Sequence, residues 1–278
     1  MKRFVFESVL FLFILFFIPT IETVYLLIND NYKETVAGKE VYHSIYKSSL
    51  KNDSKKILIG DSVGNQLFMN TEYNDTINSL ACNQAIGLVG QYLLLNKYLE
   101  QGNKVEEVFL IYRPFSFSNN LDQKFTYHYF LKPFYTKEFS PLLNSTVRDQ
   151  INKIPKVNLC QLPYVVTSNW APSLKVVKEK EKTFLSPISI DYLKKIKELS
   201  FKFKFKLRIL PAPMIDTSKI IIEQMDKSEI SENNFDKEFK NYFESIIYLP
   251  ENKFLDKVHL KEPIIYTNYY KQNFLLKK

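Results

Sequence analysis

The stretch KKILIGDSVGNQLF, residues 55–68, decides how the rest of the chain is read. Ile57, Leu58 and Ile59 make a short continuous apolar run bounded by lysine and glycine, the pattern of a strand buried on both faces. The run stops at Gly60-Asp61-Ser62, and VGNQLFMN reads as the first turns of a helix. A strand that ends in a tight turn carrying a serine can present a nucleophile. It is also an ordinary way to end a strand, so the surrounding pattern has to decide.

Working outward, TINSLA reads as a short second strand. NQAIGLVGQYLLLNKYLEQG carries apolar residues at helical spacing and stops at Gly102, and VEEVFLIY reads as a third, doubly buried strand. The order β-α-β-α-β, with helices long enough for crossovers, predicts a parallel sheet wrapped by helices. Ser62 then lies at the C-terminal edge of the first strand, where open α/β sheets carry their chemistry. Residues 113–185 break the rhythm with an aromatic, proline-containing segment, expected as an insertion or lid over that edge. Its aromatics Phe115, Phe117, Tyr127, Tyr129, Phe134 and Tyr135 read as lid core, with stacking on sugar rings as the alternative.

The alternation then resumes. SPISIDYLKKIKEL opens with two helix-start residues. FKLRILPAPM reads as a fourth strand closed by prolines, NNFDKEFKNYFES as a helix, and IIYLP as a fifth strand. ENKFLDKVHLKE is a loop, and EPIIYTNYYKQNFLL is a last helix covering the sheet. The period-two run FKFKFK, residues 201–206, is expected as a strand with one wet face.

Composition narrows the function classes. The 278 residues are 45% hydrophobic and 24% charged, which is globular rather than disordered. Glycine occurs only 6 times, and neither G-x-x-x-x-G-K-[ST] nor G-x-G-x-x-G occurs, so the sequence carries no nucleotide-binding signature. The net charge of +8 comes from scattered lysines, with no basic nucleic-acid motif, and nucleic acid is not expected as a partner. His43, His128 and His259 are too far apart for metal-ligand spacing, and no metal or other cofactor is expected. Cys82 and Cys160 are the only cysteines, and their pairing is left open.

The N-terminus begins with Lys2 and Arg3, followed by an apolar run from Val9 to Ile18 that extends with interruptions to Ile28. Positive charge followed by an apolar run, with no small-x-small cleavage site, predicts an uncleaved signal anchor with the body exported. A cleaved signal peptide and a buried helix of a cytosolic protein are the alternatives. The expected organisation is an anchor at 1–28, a linker with a short helical piece at 29–54, and one α/β domain at 55–278 that includes the aromatic insertion.

Serine is a weak nucleophile until a base takes its proton, and the base is usually a histidine held by a carboxylate. Asp256-Lys257-Val258-His259 follows the last strand, at the same edge as Ser62. An aspartate three residues before a histidine can turn its carboxylate onto the imidazole. With these residues the chain resembles the SGNH hydrolase superfamily, also called GDSL-type esterases. Gly60, Asp61 and Ser62 match the family's opening block, and Asp256 and His259 its closing D-x-x-H. The resemblance implies a three-layer α/β/α sandwich, flavodoxin-like, with a central parallel sheet of about five strands. It implies Ser62 as nucleophile, His259 as base and Asp256 as orienting acid. It also implies oxyanion donors at Ser62 and at Ala85, which stands where the second block, beginning at Asn83, usually has glycine. The third block, usually G-x-N-D, is replaced by LIYRPFSFSNN, where Asn119 or Asn120 is expected as a donor, with Arg113 as another candidate. Asn65 and Gln66 either add a donor or cap and pack.

The layout of one N-terminal span and one such domain resembles the membrane-anchored members that act with membrane-bound O-acyltransferases, such as the alginate O-acetylation and D-alanyl-lipoteichoic-acid transfer proteins. It implies an acyl-ester hydrolase or O-acyltransferase at the cell envelope. Its partner would be an acylated glycan or an acyl-carrying membrane protein. A general lipase or esterase and a non-catalytic binding scaffold are the alternatives.

Overall fold

The computed structural model describes residues 2–72, 77–122, 124–173 and 183–275. The chain begins with α1 (Lys2–Asn29), followed by a 3₁₀ turn and α2 (Lys39–Ser48). Then come β1 (Lys56–Gly60), α3 (Ser62–Leu67), β2 (Asn78–Ser79), α4 (Gly87–Glu100) and β3 (Glu107–Tyr112). The aromatic segment holds α5 (Lys132–Phe134), α6 (Ser145–Asn152) and α7 (Pro163–Val166). After α8 (Pro187–Phe203) come β4 (Lys206–Pro211) and β5 (Met214–Ile215). The chain continues through α9 (Lys219–Gln224), α10 (Ser228–Glu232) and α11 (Asp236–Phe239) to β6 (Tyr248–Leu249) and α12 (Pro263–Tyr270).

Four strands form one parallel sheet in the order β2-β1-β3-β4. Its strands read as continuous apolar runs because helices cover both faces. Ile57, Ile59, Val108, Leu110 and Ile209 belong to the larger core, which α4 and α8 share. Leu58, Phe109, Ile111 and Leu210 face the smaller one, which includes residues of α3 and α12. The fifth strand departs from expectation. Ala212 and Pro213 interrupt the chain after β4, and β6 pairs in parallel with β5 in a separate two-stranded sheet. Proline lacks the ladder N–H, which accounts for the break.

Two further expectations change. Residues 201–203 are not strand but the last turn of α8, with Phe201 exposed to solvent. The helix runs on because Ile196 and Leu199 keep facing the core. It stops only at Lys204, which takes left-handed φ +59° and donates its N–H to Ser200. The stretch 29–54 is folded onto the body rather than strung out: Val41 is fully buried in the larger core, and α2 packs against α4. In the aromatic segment Phe117, Tyr127 and Phe134 are fully buried, so much of it is core beside α4 and α8.

The helix α1 is long and apolar enough to cross a membrane. Its side chains from Phe4 to Ile18 are exposed on nearly every face, so it is not a core helix of the folded body.

Candidate active site

Gly60 ends β1 where β1 and β3 approach closely. A Cβ there would overlap the Ile111 carbonyl oxygen, so only glycine fits. Gln91, fully buried on α4, grips Gly60 from the other side. Its Oε1 accepts the Gly60 N–H at 3.0 Å and its Nε2 donates to the Gly60 carbonyl at 2.6 Å.

Asp61 is fully buried and acts as the structural knot of the turn. One carboxylate oxygen accepts the Val63 and Gly64 N–H groups at 3.1 and 3.4 Å, capping α3. The other accepts the Arg113 N–H at 2.8 Å and the Ser116 hydroxyl at 2.7 Å, tying the end of β1 to the loop after β3. Ser62 follows as the first residue of α3 and is half-buried. Among the described residues, no hydrogen bond engages its hydroxyl or its N–H. Capping has satisfied the next two donors and left this one.

His259 arrives on a tight loop closed by an antiparallel bridge between Phe254 and Leu260. The Leu255 N–H donates to the His259 carbonyl at 2.7 Å, and Lys257 takes left-handed φ +67° at the tip. Asp256 organises this loop from within. Its Oδ1 accepts the Val258 and His259 N–H groups at 3.1 and 2.8 Å, and its Oδ2 lies 2.8 Å from His259 Nδ1. Burial pushes the Asp256 carboxyl up, but the bonds from His259 and Val258 and the imidazole's charge outweigh it and hold it below its ordinary value. With Nδ1 bonded to the carboxylate as donor, Nε2 is the ring's acceptor.

Gln66, one helical turn beyond Ser62, brings the two halves together. Its Oε1 accepts the Leu260 N–H at 2.8 Å and its Nε2 donates to the Leu260 carbonyl at 2.7 Å. The Thr267 hydroxyl adds a bond to the Leu67 carbonyl at 2.7 Å. His259 is thereby held by its neighbour in sequence to the helix that begins with Ser62.

The remaining expected donors are placed differently. The Ala85 N–H is donated to Asn83 Oδ1 at 3.0 Å, because Asn83 caps a 3₁₀ turn there. Asn119 is buried, with Nδ2 on the Gln84 carbonyl at 3.4 Å and its own carbonyl taken by the Ser186 hydroxyl. The Asn120 N–H donates to Asp122 Oδ1 at 3.4 Å. Asn65 Oδ1 accepts the Asn70 N–H at 2.9 Å, a packing role. Arg113, by contrast, is buried beside the turn, with Nη1 3.5 Å from Gln84 Oε1. Burial pulls its guanidinium down, opposed by the charges of Asp61, Tyr242 and Asp256.

Glu40 is a site residue that sequence reading missed. It sits half-buried at the start of α2, beside the Asn83 side chain and within electrostatic reach of His259. Burial raises its carboxyl, tempered by Asn83, His259 and Lys39. No local signal marked it, since its chemistry depends on α2 folding back against the sheet.

The other histidines stand apart. His43 pairs with Glu34 at 3.1 Å, and His128 is half-buried, its pKa pulled down by burial and then by Lys132. Cys82 and Cys160 are separate buried thiols. Among the described residues, no group of three or more His, Cys, Asp or Glu is arranged to hold a metal ion.

No family model matches the chain, and no curated protein matches it in sequence. A solved structure described as "a putative platelet activating factor from Streptococcus pneumonia" is similar over 90% of this chain and 97% of that one, at 11% identity and a TM-score of 0.38.

Proposed function

We propose that the chain is a serine-dependent acyl-ester hydrolase or O-acyltransferase, built on an SGNH-like three-layer fold. Ser62 is the nucleophile, His259 the base and Asp256 the acid that orients it. The observation that carries this reading is the Asp256–His259 pair at 2.8 Å, tied by Leu260 and Gln66 to the helix headed by Ser62.

In the forward step His259 Nε2 takes the Ser62 hydroxyl proton as Oγ adds to the acyl carbonyl. The tetrahedral oxyanion is met by the Ser62 N–H and the Arg113 guanidinium, which take over the roles expected of Ala85, Asn119 and Asn120. The imidazolium, stabilised by Asp256, gives its proton to the departing alkoxide and leaves acyl-Ser62. His259 then deprotonates water or an acceptor hydroxyl, which releases the acid or the transferred ester and restores the serine.

The apolar helix α1 supports a membrane-anchored, extracytoplasmic setting with the acyl group, acetyl first, moving on or off an envelope glycan. The donor in that setting is an acylated glycan or an acyl-carrying membrane partner.

The test is labelling of the detergent-solubilised full chain with a fluorophosphonate probe. Wild type labels, and Ser62→Ala and His259→Ala do not. A folded wild type that fails to label overturns the proposal.

A further inference from the structure

The apolar helix α1 is not independent of the folded body. It packs against α7 through its C-terminal third, where the hydroxyls of Thr20 and Tyr164 are hydrogen-bonded to each other. Thr23, one turn further on, is the single described residue of α1 that is buried. Around this contact the body exposes Leu162 (47%), Tyr164 (48%) and Trp170 (41%), three large side chains within nine residues of chain.

The length of α1 sets the depth of that patch. Its 28 residues rise about 42 Å, whereas a hydrocarbon core takes about 20 apolar residues. Counted from the end of the Lys2-Arg3 pair, such a span runs out near Glu22 and Thr23. A body segment docked at Thr20 and Thr23 therefore sits at the boundary between acyl chains and headgroups. That zone favours tyrosine and tryptophan, whose rings are apolar and whose polar edges stay wet. Two lysines just before this segment fit the headgroup side: Lys153 is exposed, and the Lys156 ammonium lies 5.9 Å from the centre of the Trp170 ring.

We propose that residues 157–171 form a membrane-contact collar, with Leu162, Tyr164 and Trp170 seated in the interfacial layer of the bilayer that α1 crosses. The proposal rests on the reading of α1 as a membrane span. The collar is coupled to the candidate site. Asn169 Oδ1 accepts the Ala37 N–H, and the Lys132 ammonium donates to the Ser168 carbonyl at 2.7 Å. Gly38 follows at φ +91°, with room for a Cβ denied by the His128 carbonyl oxygen at 2.9 Å, and leads directly into α2 and Glu40. A collar lying on lipid therefore sets the height and tilt of the Ser62 site above the membrane.

Trp170 is the only tryptophan in the sequence, so its fluorescence reports on the collar in the unmodified protein. The full chain is reconstituted in phosphatidylcholine vesicles whose lipids carry bromine either high or low on the acyl chain. The expected result is blue-shifted Trp170 emission that loses most of its intensity to shallow bromine and less to deep bromine. A second protein, Phe13→Trp in a Trp170→Phe background, reports on α1 alone. Deep quenching of the Phe13→Trp reporter with none at Trp170 overturns the collar and leaves the anchor standing. Quenching of neither overturns both.

Discussion

Gln66 and Leu260, 194 residues apart, exchange two hydrogen bonds of 2.8 and 2.7 Å, and this pair is what brings the histidine loop to the serine helix. The bonds of Asp256 stay within three residues of it, so beyond this pair the loop is held to the serine helix by Phe254 and Leu260 in the smaller core and by the following Thr267–Leu67 bond. Without the Gln66 clamp, the Asp256–His259 pair would still form, but core packing and the Thr267–Leu67 bond alone would set its position relative to Ser62.

Gln66→Leu is therefore expected to lower kcat with little change in KM. Two neutral hydrogen bonds contribute about 2 kcal/mol of ordering, or about thirty-fold in rate. Gln66→Glu keeps the acceptor for the Leu260 N–H but sets a second carboxylate oxygen, which cannot donate, against the Leu260 carbonyl, so it is not expected to rescue. Steady-state kinetics on a small acetyl ester checks that both variants fall below wild type.

Asp256→Asn is expected to lower kcat by about 10²- to 10⁴-fold, because the imidazole loses the partner that fixes its tautomer. The acid limb follows from the depressed carboxyl. Its stabilising contribution is complete above the unfolded value of about 3.9 and is lost as pH falls through the lower folded value. Asp256 is 57% exposed, so this term is small. Acid unfolding curves of the two proteins should differ near and above the unfolded value and converge below the folded one. Curves that diverge further toward lower pH would contradict the assignment.

Gly60→Ala and Gly64→Ala separate the two close approaches to Ile111. At Gly60 the new methyl meets a backbone carbonyl between paired strands that cannot part, and about 3 kcal/mol or more of stability is lost. At Gly64 the methyl meets the same oxygen at 3.0 Å from a short helix, and a loss of about 1 kcal/mol is expected. Thermal unfolding ranks them, and equal losses would refute the argument.

Glu40→Gln should stabilise the protein in a pH-dependent way. The folded carboxyl lies above its unfolded value, so the ionised form costs stability, fully so once pH exceeds the folded value. The neutral isostere removes that cost, and Tm rises on the alkaline side of the folded value. The gain shrinks as pH falls and is gone below the unfolded value, where the carboxyl is protonated in both states. A Tm gain that grew toward acid would reverse the sign.

Arg113→Met is expected to reduce kcat by about 10²- to 10³-fold, the range for loss of one oxyanion donor. Asn119→Ala, which removes a bond to the Gln84 carbonyl, should change Tm and leave kcat near wild type. The opposite pattern would return the third donor to the asparagines.

The parts of this protein legible in its sequence are those held by interactions between near neighbours. The apolar run of β1, the Gly60-Asp61-Ser62 turn with its cap, the Ser-Pro start of α8 and the apolar character of α1 all show in short windows. So does the Asp256–His259 pair, because three residues of loop suffice to close it. The βαβ order followed from alternating periods, and the four-stranded parallel sheet agrees with it. What the tertiary structure decided lies where distant faces meet. Folding carried Arg113 to the turn and Glu40 within reach of His259, and Asn83 took up the Ala85 N–H. Core packing kept residues 201–203 helical against their period-two pattern, and prolines sent β6 to pair with β5. Each of those outcomes depends on which surfaces exclude water from one another once the chain has closed, and no short window of sequence contains both surfaces.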